Sequence, residues 1–271
     1  MSLSTRKTLL HALPIALCGL VGMALTGCGG GGVSLPLGTP GTFRSAPVAM
    51  GNGTATTFVT VDANGRPTAV GITLTEAALT GLPPAVKTLF EFPLPAQAST
   101  TAFDHIELRY WSHGHDPADL FEVQHFDFIP FLITQQERDQ ITAAGDDLAK
   151  VLKAPRAEDI PLGFAPIPPV DEFYAEPRYG TRYFDVSTFT PVLNHEEPYT
   201  TTLFYGYYNG KVDFLEIPLT FPYIQATQDA SFPIPLPHAV PKSAYYPTRY
   251  RIHFDANTRE YTFSLEGMVA R

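Results

Sequence analysis

Short apolar and aromatic runs, each closed by a turn signal, recur along the chain from about Thr54, and this spacing leaves room for little but β-hairpins. The strongest signal is Asn209-Gly210 between the runs 200–208 and 211–217, because both central positions of a two-residue hairpin turn need positive φ. Asp62-Ala63-Asn64-Gly65 separates 57–61 from 69–74, and Asp255-Ala256-Asn257 separates 250–254 from 261–265. In both, an Asp side chain can close the turn on its own backbone. Further strands are expected at 87–94 and 105–111, and one largely apolar run covers 123–133. The aromatic group Phe204, Tyr205, Tyr207 and Tyr208 reads as cross-strand packing rather than a ligand platform.

One helix is expected. Thr134-Gln135-Gln136-Glu137 fits a capping box, Ile141, Ala144, Leu148, Val151 and Leu152 recur at helical spacing, and Pro155 ends the segment. Arg138, Asp139, Asp146, Asp147 and Lys150 would lie on its exposed face. Six prolines then fall within residues 155–177 and predict an extended connector. The fold class expected is α+β: antiparallel, β-rich sheets with hairpins and one amphipathic helix packed alongside. A single domain over 54–271 accounts for it.

The N-terminus carries an address. Arg6 and Lys7 precede an apolar run that closes on Leu25-Thr26-Gly27-Cys28, the layout of a secretory leader. Those four residues resemble the lipobox of bacterial lipoproteins, which implies cleavage before Cys28 and acylation of its thiol. The expectation is a leader over 1–27, a lipid attachment and Gly/Pro-rich tether over 28–53, and a home in the bacterial cell envelope. Gly29 after the cysteine favours the outer membrane where two membranes exist. Removing 1–27 takes Arg6 and Lys7 and no acid, so 16 basic against 27 acidic residues leave a net charge of −11. Such a surface argues against nucleic acid as partner. Cys18 and Cys28 are the only cysteines, which excludes a disulfide scaffold in the folded body.

Chemistry concentrates in 111–128. His113, His115 and His125 lie close in sequence, with Asp116, Asp119 and Asp127 among them. Neutral imidazole and carboxylate are usual ligands of zinc and similar divalent ions, so His113, His115, His125 and Asp127 form a candidate metal set. The competing reading makes them solvated loop histidines and a hydrogen-bonded strand. No Gly-x-Ser-x-Gly elbow, phosphate-cradling glycine loop or cysteine nucleophile accompanies them.

At Gly114-His115-Asp116-Pro117 and Gln124-His125-Phe126-Asp127-Phe128 the chain resembles a family of bacterial, often exported domains of uncharacterised function first described from Thermus. Tyr205-Gly206 through Glu216, and Tyr245-Tyr246-Pro247-Thr248-Arg249-Tyr250, share its look, so the similarity extends from about residue 66 to the C-terminus. The resemblance also implies that two family histidines fall here on Ile129 and on Arg182, within Gly180-Thr181-Arg182-Tyr183. Arginine stays protonated and is a poor metal ligand, so either His113 and Asp127 substitute for the missing histidines or the site is vestigial and Arg182 pairs with a carboxylate or an anionic ligand.

The expected function is therefore an exported, lipid-anchored envelope protein that binds a ligand or partner without catalysis, near His115, His125 and Arg182. A metal-dependent enzyme using the histidine cluster is the alternative. A third reading is self-assembly into a homo-oligomer through strand edges.

Overall fold

The computed structural model describes residues 39–167 and 175–271, all within one unit, Pro36–Arg271. Cys28, the expected leader, and residues 168–174 of the expected connector lie outside the described residues.

The chain runs through β1 (Gly41–Arg44), β2 (Val48–Met50), β3 (Gly53–Val61), β4 (Pro67–Thr75), β5 (Lys87–Pro93), β6 (His105–Trp111), β7 (His125–Phe131) and β8 (Phe164–Pro166). It continues through β9 (Thr181–Asp185), β10 (Phe204–Tyr208), β11 (Lys211–Thr220), β12 (Asp229–Pro233), β13 (Tyr245–Tyr246), β14 (Arg249–Asp255), β15 (Glu260–Glu266) and β16 (Val269–Ala270). The first sheet is ordered β1-β3-β4-β15-β14-β12, with β2 also pairing β3. The second is ordered β5-β6-β7-β11-β10-β9-β8, and β13 pairs β16 apart from both. Every strand-to-strand ladder is antiparallel. The fold is α+β, β-rich with few and short helices.

All three expected hairpins form, and their turns show why. Asn209 and Gly210 take φ of 51° and 75°, the paired positive values of a tight hairpin turn. An Asp62 carboxylate oxygen accepts from the amides of Asn64 at 2.8 Å and Arg66 at 2.9 Å, and Asp255 likewise accepts from Asn257 at 2.8 Å. The two sheets then close on one core. Val70, Ile72, Leu74, Ile252, Phe263 and Leu265 from the first meet Ile106, Leu108, Phe126, Phe128, Ile217 and Leu219 from the second. Burying each of these side chains contributes about 1.5–3 kcal/mol. Tyr205 and Tyr207 join this core, donating their hydroxyls to the carbonyls of Pro235 and Asp159.

Two expectations change. Residues 41–44 and 48–50, read as tether, are strands of the first sheet; Thr42, Phe43 and Val48 are β-branched or aromatic residues whose pairing with β3 outweighs the loop-like prolines and glycines around them. The helix expected over 134–155 is broken. Its capping box forms, with Glu137 amide donating to Thr134 and Thr134 amide to Glu137, but the helix stops at Asp139. Ala143 and Gly145 are left-handed, at φ 53° and 55°, and an Asp147 oxygen draws in the amides of Thr142 and Ala143. Such side-chain-to-backbone bonds compete with the helical ladder. A 3-10 turn at Gly145–Asp147 then leads into one α-helical turn, Leu148–Val151.

Candidate functional site

Side chains alternate across a strand, so residues 106, 108 and 110 of β6 face the core while 105, 107, 109 and 111 face the other way. The same holds for 126 and 128 against 125, 127, 129 and 131 on β7. An outward face of this composition ordinarily meets water, yet here it is covered. The turn at residues 176–180, the loop at 112–123 and the segment from Thr134 to Ile141 lie over it and bury a layer of charges.

Arg109 is the hub of one cluster and is 3% exposed. It donates from Nε to Asp127 at 2.9 Å, from Nη1 to Glu176 at 3.1 Å and from Nη2 to Glu216 at 2.9 Å. Asp127 sits directly opposite Arg109 across the β6–β7 ladder and also accepts from Trp111 Nε1 at 2.9 Å. Arg182 donates from Nε to Glu216 at 2.7 Å, and its Nη2 lies 3.0 Å from Glu176. Lys87 reaches Glu176 at 3.3 Å. Burial alone would lift the Glu176 carboxyl, but Arg109, Arg182 and Lys87 bring it down to about 2. Burial likewise works against ionised Asp127, and Arg109 with the nearby imidazoles reverses it, so its carboxyl is held below the usual value. At Glu216 burial prevails over both arginines and the carboxyl is raised.

Arg138 organises the second cluster, and here the expected exposed residue is 1% exposed. A partner set on the sheet draws it in: His105 Nε2 at 3.0 Å, Glu107 at 3.4 Å and Glu91 at 2.8 Å. Arg178 bonds Glu91 and Glu107, and Tyr179 donates its hydroxyl to Glu107. The Tyr179 ring lies between the clusters, 4.6 Å from the Arg109 guanidinium and 5.3 Å from that of Arg182. Gly206 permits this layer to close, because a Cβ there would stand 2.0 Å from the Phe214 ring.

The histidines divide. His113 is exposed and pairs only with the Ser112 hydroxyl, at 2.8 Å. His115 and His125 come together, ring centroids 5.2 Å apart, among Trp111, Phe121 and Tyr199. Each imidazole donates Nδ1–H to a backbone carbonyl, His115 to Asp116 at 2.7 Å and His125 to Val123 at 2.6 Å, which fixes each ring and directs its Nε2 away from the backbone. His125 is 0% exposed, and its Nε2 has no hydrogen-bond partner, with the nearest Asp127 oxygen 3.7 Å away. Burial pushes the His115 imidazole below the usual histidine value, so it stays neutral at pH 7.

Of the expected site residues, His115, His125, Asp127 and Arg182 thus share the covered face, and His113 does not. Asp116 is exposed, and Asp119 pairs with His195 at 3.5 Å. Among the described residues no group of three or more His, Cys, Asp or Glu side chains is placed to hold a metal ion. Of the expected zinc set, the structure leaves the His113 ring in solvent and engages one Asp127 oxygen with Arg109 and Trp111. Arg109, Arg138, Glu107, Glu176, Glu216 and Tyr179 were not singled out from sequence. The alternation His105-x-Glu107-x-Arg109 was visible, but alternation by itself signals a solvated face.

The architecture is that of a two-sheet antiparallel protein with a buried ionic layer on the outer face of one sheet. Residues 62–110, which end one position before Trp111, match the family described as "TTHB210-like: Hypothetical protein TTHB210". The chain is similar to that family over this segment, which takes in β4, β5 and all of β6 but Trp111, and so Lys87, Glu107 and Arg109. No curated protein and no solved structure matches the chain.

Proposed function

We propose that the chain is an exported, lipid-anchored protein of the bacterial cell envelope whose folded body binds a ligand without catalysis at the surface built by His115, His125 and Arg182. Leu25-Thr26-Gly27-Cys28 supports the anchor, which would hold the protein to a membrane through lipid on Cys28. Among the described residues no helix is long and apolar enough to cross a membrane. The observation that carries the binding reading is the His125 imidazole, wholly buried, locked by Val123 and left with an unpartnered Nε2 among aromatic rings. A buried polar atom without a partner costs about 1–3 kcal/mol, which a ligand offering a complementary hydrogen-bonding group would recover. Binding is favoured over catalysis because the strong charges beside the imidazole are matched to one another.

Trp111 is the only tryptophan and touches both His115 and Asp127, so its fluorescence reports the site. Titration with a small-molecule extract of the envelope should give a saturable change in the wild type that His125→Ala abolishes. A response that is unaltered in His125→Ala refutes the site. Zinc titration with metal analysis addresses the enzyme alternative: stoichiometric zinc lost in His125→Ala would overturn the non-catalytic reading. Palmitate labelling that persists in Cys28→Ala would remove the anchor.

A further inference from the structure

We propose that Arg109, Arg182 and Lys87 form a cradle for the carboxylate group of a monoanionic ligand, filled in the free protein by the chain's own Glu176. This rests on the binding reading above and gives its ligand a chemical class.

The three cations come from three strands, β6, β9 and β5, and converge on one carboxylate at 3.1, 3.0 and 3.3 Å. Their backing is fixed. Glu216 bridges the arginines, accepting from Arg109 at one oxygen and from Arg182 at the other, while Asp127 takes Arg109 Nε. Both backing carboxylates sit on the sheet and are buried. The two guanidinium groups are therefore held with one edge each directed at the cradle, the preorganisation that makes arginine suited to carboxylates.

Glu176 differs from its partners in three ways. It is carried by the turn at 176–180 rather than by the sheet, and its side chain is 28% exposed, so solvent reaches this member of the network. The turn is pinned independently by Tyr179 and Arg178 on Glu107, so Glu176 can swing out while its backbone stays in place. Finally, Arg182 Nη2 is buried and makes no aligned hydrogen bond, although Glu176 lies within ion-pair distance. A donor aimed into the cradle is thus left incompletely used by the internal occupant.

Charge selects the ligand. With Glu176 withdrawn, three cations face two backing carboxylates, and the surplus of one positive charge suits a carboxylate better than a dianionic phosphate. Trp111 and Tyr179 stand beside the cations, with Lys87 5.3 Å from the Trp111 ring, and leave the Glu176 side as the approach.

The test uses the full chain in detergent micelles, with acetate as probe, inorganic phosphate as a second arm and chloride at matched ionic strength as control. Trp111 fluorescence is the readout. Glu176→Ala should bind acetate saturably and about tenfold tighter than the wild type, since the internal competitor is gone. Acetate should be preferred to phosphate, and adding Arg182→Gln should abolish the response. No saturable acetate response beyond chloride, or one undiminished by Arg182→Gln, overturns the proposal; so does a preference for phosphate. If Glu176→Ala does not fold, Glu176→Gln keeps the shape and removes the charge. It should then bind acetate several-fold tighter than the wild type, and equal binding overturns the cradle. Acetate silence with an intact His125-dependent response to envelope extract refutes the cradle alone. The converse refutes the His125 site alone.

Discussion

Replacing Arg109 with methionine should be among the most damaging single changes on the outer face of the second sheet. Arg109 is 3% exposed and holds Asp127, Glu176 and Glu216 through contacts of 2.9, 3.1 and 2.9 Å. Met fills much of the space but leaves two wholly buried carboxylates and one half-buried carboxylate with only Arg182 and Lys87 to share. Removing one partner of a buried ion pair costs about 3–5 kcal/mol, because the remaining charge stays buried. For a chain of this size that corresponds to a fall in Tm of roughly 6–20 °C. The loss should depend on pH. In the wild type Arg109 is the main force holding the Asp127 carboxyl down against burial. Without it burial prevails, the folded-state pKa rises above the unfolded value, and the penalty is fully present above that raised pKa. As pH falls from 7 to 5 the orphaned groups take up protons and the penalty shrinks. Wild-type Glu176 behaves oppositely: held near 2, it contributes stability that is present above about pH 4.5 and lost only as pH falls toward 2. Urea unfolding followed by far-UV circular dichroism at pH 7 and pH 5 measures both effects. Adding Asp127→Asn and Glu216→Gln to Arg109→Met should recover part of the loss at pH 7. A loss under about 1 kcal/mol, or one identical at the two pH values, would refute the reasoning.

Other consequences follow from single contacts. Gly206→Ala places a Cβ 2.0 Å from the Phe214 ring and should cost about 1–3 kcal/mol by overpacking, read as a lowered urea midpoint; an unchanged midpoint would contradict the close approach. Asp213 is buried with neither carboxylate oxygen bonded, and burial raises its pKa well above the ordinary value. Asp213→Asn should therefore stabilise by about 1 kcal/mol or more at pH 7, a gain that shrinks as pH falls through the raised folded-state pKa and is gone below about pH 4, where the wild-type group is protonated in both states. Equal gain at pH 7 and pH 3.5 would argue against it. His105 and His115 are both pushed down by burial, so stability is complete above the ordinary value of 6.5 and falls as pH drops below it. NMR titration should place both imidazoles below 6.5, and His105→Gln should flatten the stability profile between pH 6.5 and 5.

The strand inventory was legible because it rests on local chemistry. Asn209-Gly210 dictates its turn through positive φ, Asp62 and Asp255 close theirs through their own carboxylates, and alternation on β6 and β7 sorts two faces whatever lies beyond them. Thr134 and Glu137 likewise formed their cap. The helix beyond it failed because apolar spacing was counted without the competing pull of the Asp147 carboxylate on nearby amides. Sequence also brought out His115, His125, Asp127 and Arg182 as residues of interest, although it could not say which partners they would meet. The face of a strand is fixed by a period of two, but whether that face meets water depends on segments distant in the chain. Glu176 lies 67 residues from Arg109 and Glu216 lies 107 from it, so their ion pairs exist only once the turn and the strands are assembled. What sequence alone determined is which side chains share a face; the tertiary structure decided that this face is buried, and burial turns ordinary surface charges into a matched network with one displaceable carboxylate.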